Sequence, residues 1–315
     1  MRIGSARIVP ALFLLALVIP PLAAAGKPAP RVFSPASPFN KKIAPRTPTD
    51  PASQAAIRSL LAFSQTVNVN LGAWTPPVFV ATKTSPVKSV QLPSGASLDV
   101  PVPSGAAPSA DSDGYLTIID RPRGCTYDFF RAQQRGDGSW AAGGAAAFRL
   151  GGTGVHRPWG VRASGFSLLA GLIRPSEVRA NSIEHALVMG IPNTAPSFRA
   201  PATTSDGRTP GGIAMGSHFQ LDPGFDVSRL PADQRMIARA MQRYGVYIGD
   251  TSGAITLYAQ NTASTPGFIY PDWAGGLTLP QEIVAALRLL RPPSASRLDK
   301  TPTARCGVTK RGGKY

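Results

Sequence analysis

The feature that most constrains this chain is how often its apolar runs are cut. Gly and Pro number 32 each, about a tenth of the 315 residues apiece. They cluster with Ser and Asp between short stretches rich in Val, Ile, Leu, Phe and Tyr. Such punctuation favours short strands and turns over long helices. Val78-Phe79-Val80, Leu98 to Val102, Tyr115 to Ile119 and Thr126 to Phe130 read as strands, as do Ile183 to Ile191 and Phe219 to Leu221. Val246 to Ile248 and Ile255 to Ala259 predict a hairpin around Asp250-Thr251-Ser252-Gly253. Three segments carry helical spacing: Pro51 to Gln65, Pro231 to Tyr244 and Leu279 to Leu290. Strand–helix alternation of the kind that builds a parallel sheet is missing. The expected fold is mostly β, a β-sandwich or jelly roll with a few peripheral helices.

The ends differ from the body. Arg2 and Arg7 precede an apolar stretch, Val9 to Leu22, and Ala23-Ala24-Ala25 supplies small residues for cleavage before Gly26. This is the layout of a secretory signal peptide, and the apolar stretch is short for a bilayer span of ~20 residues. The expectation is an exported protein with no transmembrane segment after cleavage; an uncleaved anchor is the alternative. Residues 26–50 read as a basic, Pro-rich linker or strap, 51–290 as a single β-rich domain, and 291–315 as a basic tail. Within the strap, Ser37-Pro38-Phe39-Asn40 offers a ring that can pin it to the body. The two cysteines, Cys125 and Cys306, suit one disulfide in an oxidising compartment, with two free thiols as the alternative.

The formal charge of +16 invites a nucleic-acid reading. Its distribution argues otherwise. Residues 26–46 carry +5 and residues 288–315 carry +7, whereas the body from 47 to 287 carries only +2. No nucleic-acid motif and no interleaving of aromatic with basic residues appears. For an exported protein, basic ends suit anionic envelope polymers, or simply solubility.

The chain has three Glu and three His, so Glu184 and His185, side by side in a strand-like run, are singled out. Strand alternation puts them on opposite faces, with His185 among apolar neighbours. A second run, Gly216 to Asp222, alternates strictly, so His218, Gln220 and Asp222 share one face. Asp128 lies opposite Tyr127 and Phe129. Asp206 and Asp250 fall in turns, where Asp is ordinary. Two readings follow. A glycoside hydrolase would use two carboxylates from Glu184, Asp222 and Asp128 across a groove. A polysaccharide lyase would use His185 or His218 as base and Arg174 to neutralise a uronate. Trp140 and Trp159 could stack on sugar rings, with His218 and Gln220 as further substrate contacts. Against these stand structural roles: a hydrogen-bonded strand His, a turn Asp before Pro, a core Trp. No pair of His has ligand spacing, so neither a metal nor a cofactor is implied. No GxSxG elbow or phosphate-binding Gly loop is present. The expected partner is a polysaccharide or cell-wall polymer, cleaved or, in the alternative, only bound by an envelope-associated protein.

Several segments resemble a group of uncharacterised secreted bacterial proteins. They are Ser-Pro-Phe-Asn at 37–40, Ser-Gly-Phe-Ser-Leu-Leu-Ala-Gly-Leu-Ile-Arg-Pro-Ser-Glu at 164–177, and Ile-Glu-His-Ala-Leu at 183–187. Ala-Met-Gly-Ser-His-Phe-Gln-Leu at 214–221 and Tyr-Gly-Val-Tyr-Ile-Gly-Asp at 244–250 complete the set. The resemblance implies export and a common fold, and places His185 in a shared framework. It carries over no activity and no catalytic residue.

Overall fold

Frequent chain reversal yields a mostly β structure, with four α-helices among the described residues. The computed structural model describes residues 30–292, except 65, 157–159, 271, 272, 274 and 275, together with Cys306. The expected signal peptide, Trp159 and, apart from Cys306, the tail from 293 onward lie outside the described residues. In chain order the strands are β1 (Val67–Asn70), β2 (Val78–Ala81), β3 (Val87–Gln91), β4 (Ser97–Pro101), β5 (Leu116–Asp120), β6 (Cys125–Phe130), β7 (Gln133–Gln134), β8 (Trp140–Ala141) and β9 (Gly144–Arg149). There follow β10 (Leu187–Ile191), β11 (Thr194–Phe198), β12 (Ile213–Met215), β13 (His218–Leu221), β14 (Val246–Thr251), β15 (Thr256–Tyr258), β16 (Leu277–Leu279) and β17 (Leu287–Leu289). The helices are α1 (Ser53–Phe63), α2 (Pro175–Ala180), α3 (Ala232–Arg243) and α4 (Gln281–Ala285). No helix among the described residues is long and apolar enough to cross a membrane.

Two four-stranded sheets, β2-β5-β6-β9 and β4-β3-β8-β7, enclose one apolar cluster. Alternation assigns the faces. Leu116 and Ile118 of β5 and Tyr127 and Phe129 of β6 point into this cluster with Val90, Val100 and Trp140. Ile119 and Val78 face the other way and join the main core. Cys125 and Cys306 form the disulfide, so the tail is tied to β6.

The main core surrounds a seven-stranded mixed sheet ordered β16-β1-β15-β10-β14-β13-β17. Its middle strand, β10, is buried at every position from Leu187 to Ile191, as expected of a strand covered on both faces. α3 packs Met236, Ile237, Ala240 and Met241 into this core; each large side chain so buried contributes roughly 1.5–3 kcal/mol. The strap is pinned as expected. Phe39 is buried, meeting Phe166 edge-on at 5.0 Å and Tyr247 at 5.5 Å, and the Ser37 hydroxyl donates to the Thr153 carbonyl.

Four expectations change. The hairpin at 246–259 does not form, because β10 inserts between its arms. β10 runs parallel to β14 and antiparallel to β15. A continuous apolar strand gains most from the centre of the sheet, and that gain outweighs local turn closure. Parallel pairs also occur despite the missing alternation: β1 with β15, β2 with β5, β3 with β8. Finally, the helix expected over Leu279 to Leu290 shortens to α4, because Leu287 and Leu289 add an edge strand beside β13. The strand expected from Ile183 begins at Leu187.

Candidate functional site

One face of the central sheet presents polar groups in register. In β1, Val67 and Val69 point into the core, so Asn68 and Asn70 point away from it. β15 sets Thr256 opposite Asn68 and Tyr258 opposite Asn70. On the next strand Gly190 stands opposite Thr256, and beyond it Asp250 of β14 stands opposite Gly190 after a register shift. Gly190 leaves the space this face needs. A Cβ there would lie 2.5 Å from the Tyr258 hydroxyl and 2.8 Å from Ser252 Cβ.

The opposite wall comes from two loops locked together. The Asp111 carboxylate accepts from the Asp113 amide at 2.9 Å and from the Trp74 amide at 2.7 Å. Trp74 is held in the left-handed region at φ 51° and is 54% exposed. Asn68, Asn70, Trp74, Asp250, Thr256 and Tyr258, with Asp113 and Tyr115, line a cleft of about 410 Å³.

The electrostatics centre on Asp250. Burial pushes its carboxyl up to about 7; the Arg162 guanidinium opposes the rise, and Asp206 and Asp113 reinforce it. Arg162, 1% exposed, places Nε 3.7 Å from Asp250 Oδ2. Its Nη1 donates to the Ala170 carbonyl at 3.1 Å, and the guanidinium lies 4.8 Å from the Tyr258 ring centroid. Asp113 is also raised, first by burial and then by Asp111, while the Tyr115 side chain favours its charged form. Tyr258 is 5% exposed and lines the cleft, and its hydroxyl has no hydrogen-bond partner among the described residues. Burial and the Asp250 charge hold that phenol neutral.

The residues singled out by sequence lie elsewhere, in separate places. Glu184, His185 and Arg174 come together around a pocket of only about 40 Å³. The group that joins two of them is Glu177 in α2. Its Oε1 meets Arg174 Nη2 at 2.5 Å and His185 Nε2 at 3.0 Å. Burial alone would raise the Glu177 carboxyl, but the contacts with His185 and the Arg174 guanidinium outweigh it and pull it down to about 2. Glu184 is half exposed, 3.7 Å from Arg31. His218, Gln220 and Asp222 share β13 or its end, far from forming a groove. His218 stacks on Tyr247 at 3.9 Å and its Nε2 donates to the Tyr244 carbonyl, while burial drives its pKa down to about 4. Gln220 is spanned between the Gln242 carbonyl and Arg288. Asp222 accepts from the Gly224 amide in a turn.

Asp128 is wholly buried and accepts from Thr117 and Ser167 hydroxyls and from the Leu168 amide. It thereby fastens the small sandwich to the segment whose carbonyls receive Arg162, and it stands behind the cleft rather than in it. Trp140 fills the second core, with no face left for a sugar. Among the described residues, no group of three or more His, Cys, Asp or Glu is placed to hold a metal ion.

Asp250, Asp113, Arg162, Tyr258 and Trp74 were not singled out as site residues, because each reads locally as a turn, loop or core residue. The available signal was Val-Asn-Val-Asn at 67–70, which puts two amides on one face of an otherwise apolar strand. Comparison with protein-family models, curated proteins and solved structures gives no match for this chain.

Proposed function

We propose that the protein is a glycan hydrolase that cleaves in the cleft between Asp250 and Asp113. The observation that carries this reading is a carboxyl held protonated to about neutral pH beside a second, half-buried carboxylate in an open cleft. Glycosidic cleavage needs that inequality: an acid to protonate the leaving oxygen and a carboxylate to act as nucleophile or base. Asp250 is the acid. Asp113, more open to water and so less penalised for its charge, is the carboxylate. Arg162 lies behind Asp250 and stabilises the anion left once the proton has gone. Asn68, Asn70, Thr256 and the free Tyr258 hydroxyl supply hydrogen bonds for sugar hydroxyls, and Trp74 supplies an apolar face. Carboxylates facing the substrate favour hydrolysis over the lyase chemistry of a neutralised uronate. The secretory layout of residues 1–25 supports a cell-wall or extracellular glycan as target. The basic ends fit retention on an anionic envelope polymer.

The test is release of reducing ends from a panel of purified glycans by the mature chain. Asp250→Asn and Asp113→Asn should each lower kcat/KM by about a hundredfold or more. Activity should fall as pH rises through about 7, as Asp250 loses its proton. Undiminished turnover in both variants would sink the assignment. Binding without turnover in the unmodified protein would replace it with a carbohydrate-binding role.

A further inference from the structure

A second depression adjoins the cleft. It has a volume of about 480 Å³ and shares Asn70 and Trp74 with the first. Its own lining includes Phe268 and Ile269, backed by the buried Tyr270 and Trp273, with no charged side chain among the described lining residues. Tyr270 and Trp273 stack at 4.9 Å and are anchored by their polar ends, Tyr270 to the Gln260 carbonyl and Trp273 to Asp233. Phe268 meets Tyr270 edge-on at 5.0 Å, with the Arg179 guanidinium 4.9 Å from its ring centroid. This fixed wall leaves Ile269 85% exposed at the rim.

Trp74 stands between the two depressions. An exposed bulky residue at positive φ costs free energy and persists only where surrounding contacts impose it. Here Asp111 and Asn70 impose it, and Asn70 itself belongs to both depressions. We propose that the two depressions form one binding groove for an uncharged glycan chain. One sugar unit sits at the carboxylates, the chain crosses Trp74, and further units lie over Phe268 and Ile269, which the buried Tyr270 and Trp273 hold in place. The inference rests on the hydrolase reading for the cleft alone; the trough beyond Trp74 stands on its own lining. Flat apolar side chains suit sugar ring faces, whose C–H groups are apolar while their hydroxyls point outward. Among the described lining residues the ionisable groups are acidic, and with Asp250 acting as the acid the negative charge is that of Asp113. Polyuronates would be repelled there, and uncharged chains would not.

The test is affinity against chain length, measured on Asp250→Asn so that ligands survive. The probes are β-1,4-linked glucose and N-acetylglucosamine oligomers, from disaccharide to hexasaccharide, with polygalacturonate as the polyanion. Affinity in at least one series should rise with length. Phe268→Ala and Ile269→Ser should each weaken hexasaccharide binding by about tenfold and disaccharide binding by less than about twofold. Ile269 is exposed enough that its substitution leaves folding intact. An unchanged length dependence in both variants would overturn the trough while leaving the cleavage reading standing. Length-dependent binding lost in the variants, with no turnover by the unmodified protein, would keep the trough and remove the hydrolase. Preference for polygalacturonate, or no binding by any oligomer, would overturn the proposal.

Discussion

Replacing Asp250 with Asn should change how stability depends on pH in a way set by the cleft itself. Burial carries this carboxyl from its ordinary 3.8 to about 7, which corresponds to roughly 4 kcal/mol against the charged form. Its side chain is only 14% exposed, so solvent screening takes a small share. The direction follows from proton binding. Between about pH 4 and 7 the folded chain holds a proton on Asp250 that the unfolded chain has released. Stability from this group is therefore fully present below about 4 and is lost as pH rises to about 7. Asn mimics the protonated state and cannot lose it. The stability of Asp250→Asn relative to the unmodified protein should therefore climb by up to about 4 kcal/mol between about pH 4 and pH 8. Arg162 is present in both proteins, so its unpaired charge offsets the difference by a constant and leaves the slope intact. Denaturant unfolding at a series of pH values measures this directly. A difference that stays flat across the range would mean that Asp250 titrates as an ordinary surface carboxyl, and the acid role would fall with it.

Other perturbations probe the rest of the molecule. Glu177→Gln should cost about 3–5 kcal/mol near neutral pH, because it leaves Arg174 and His185 without their buried partner; a chemical-denaturation midpoint within error of the unmodified protein would contradict this. Cys306→Ser should cost about 5 kcal/mol by the chain-entropy account, since the disulfide spans 181 residues, and calorimetry under non-reducing conditions checks it. Gly190→Ala should abolish glycan binding by pushing the Tyr258 hydroxyl or Ser252 from their places; isothermal titration at full strength would show the space is not needed. His218, lowered to about 4 by burial, should show a neutral imidazole by NMR at about pH 5.5. Its contribution to stability is present above about 6.5 and lost as pH falls toward about 4.

Legibility in the sequence followed the range of the interaction. β6 was readable because alternation is local: Asp128 falls opposite Tyr127 and Phe129 as its spacing requires. The Phe39 pin, α3 and the cysteine pair were readable for similar reasons of ring size, helical period and count. The failed hairpin marks the boundary. Asp250-Thr251-Ser252-Gly253 has turn chemistry, but the chain gains more by admitting Leu187–Ile191 between the two arms, and that comparison involves residues some sixty positions away. Glu184 and His185 were conspicuous through rarity, and rarity carries no geometry: one faces solvent and the other is held by Glu177.

By itself, then, the sequence determined the β-rich class, a ring at Phe39 able to pin the strap, a single possible disulfide and the neutrality of the body between basic ends. Each depends on composition or on spacing within a few residues. Only the tertiary structure decided where the carboxylates meet. Asp113 comes from a loop before β5, Asp250 from the end of β14, and Trp74 and Arg162 from two further segments. Their shared cleft exists because β1, β15, β10 and β14 assemble out of chain order. Burial raises the Asp250 carboxyl only after that assembly has removed water from around it, so neither the site nor its proton is visible in any one stretch of the chain.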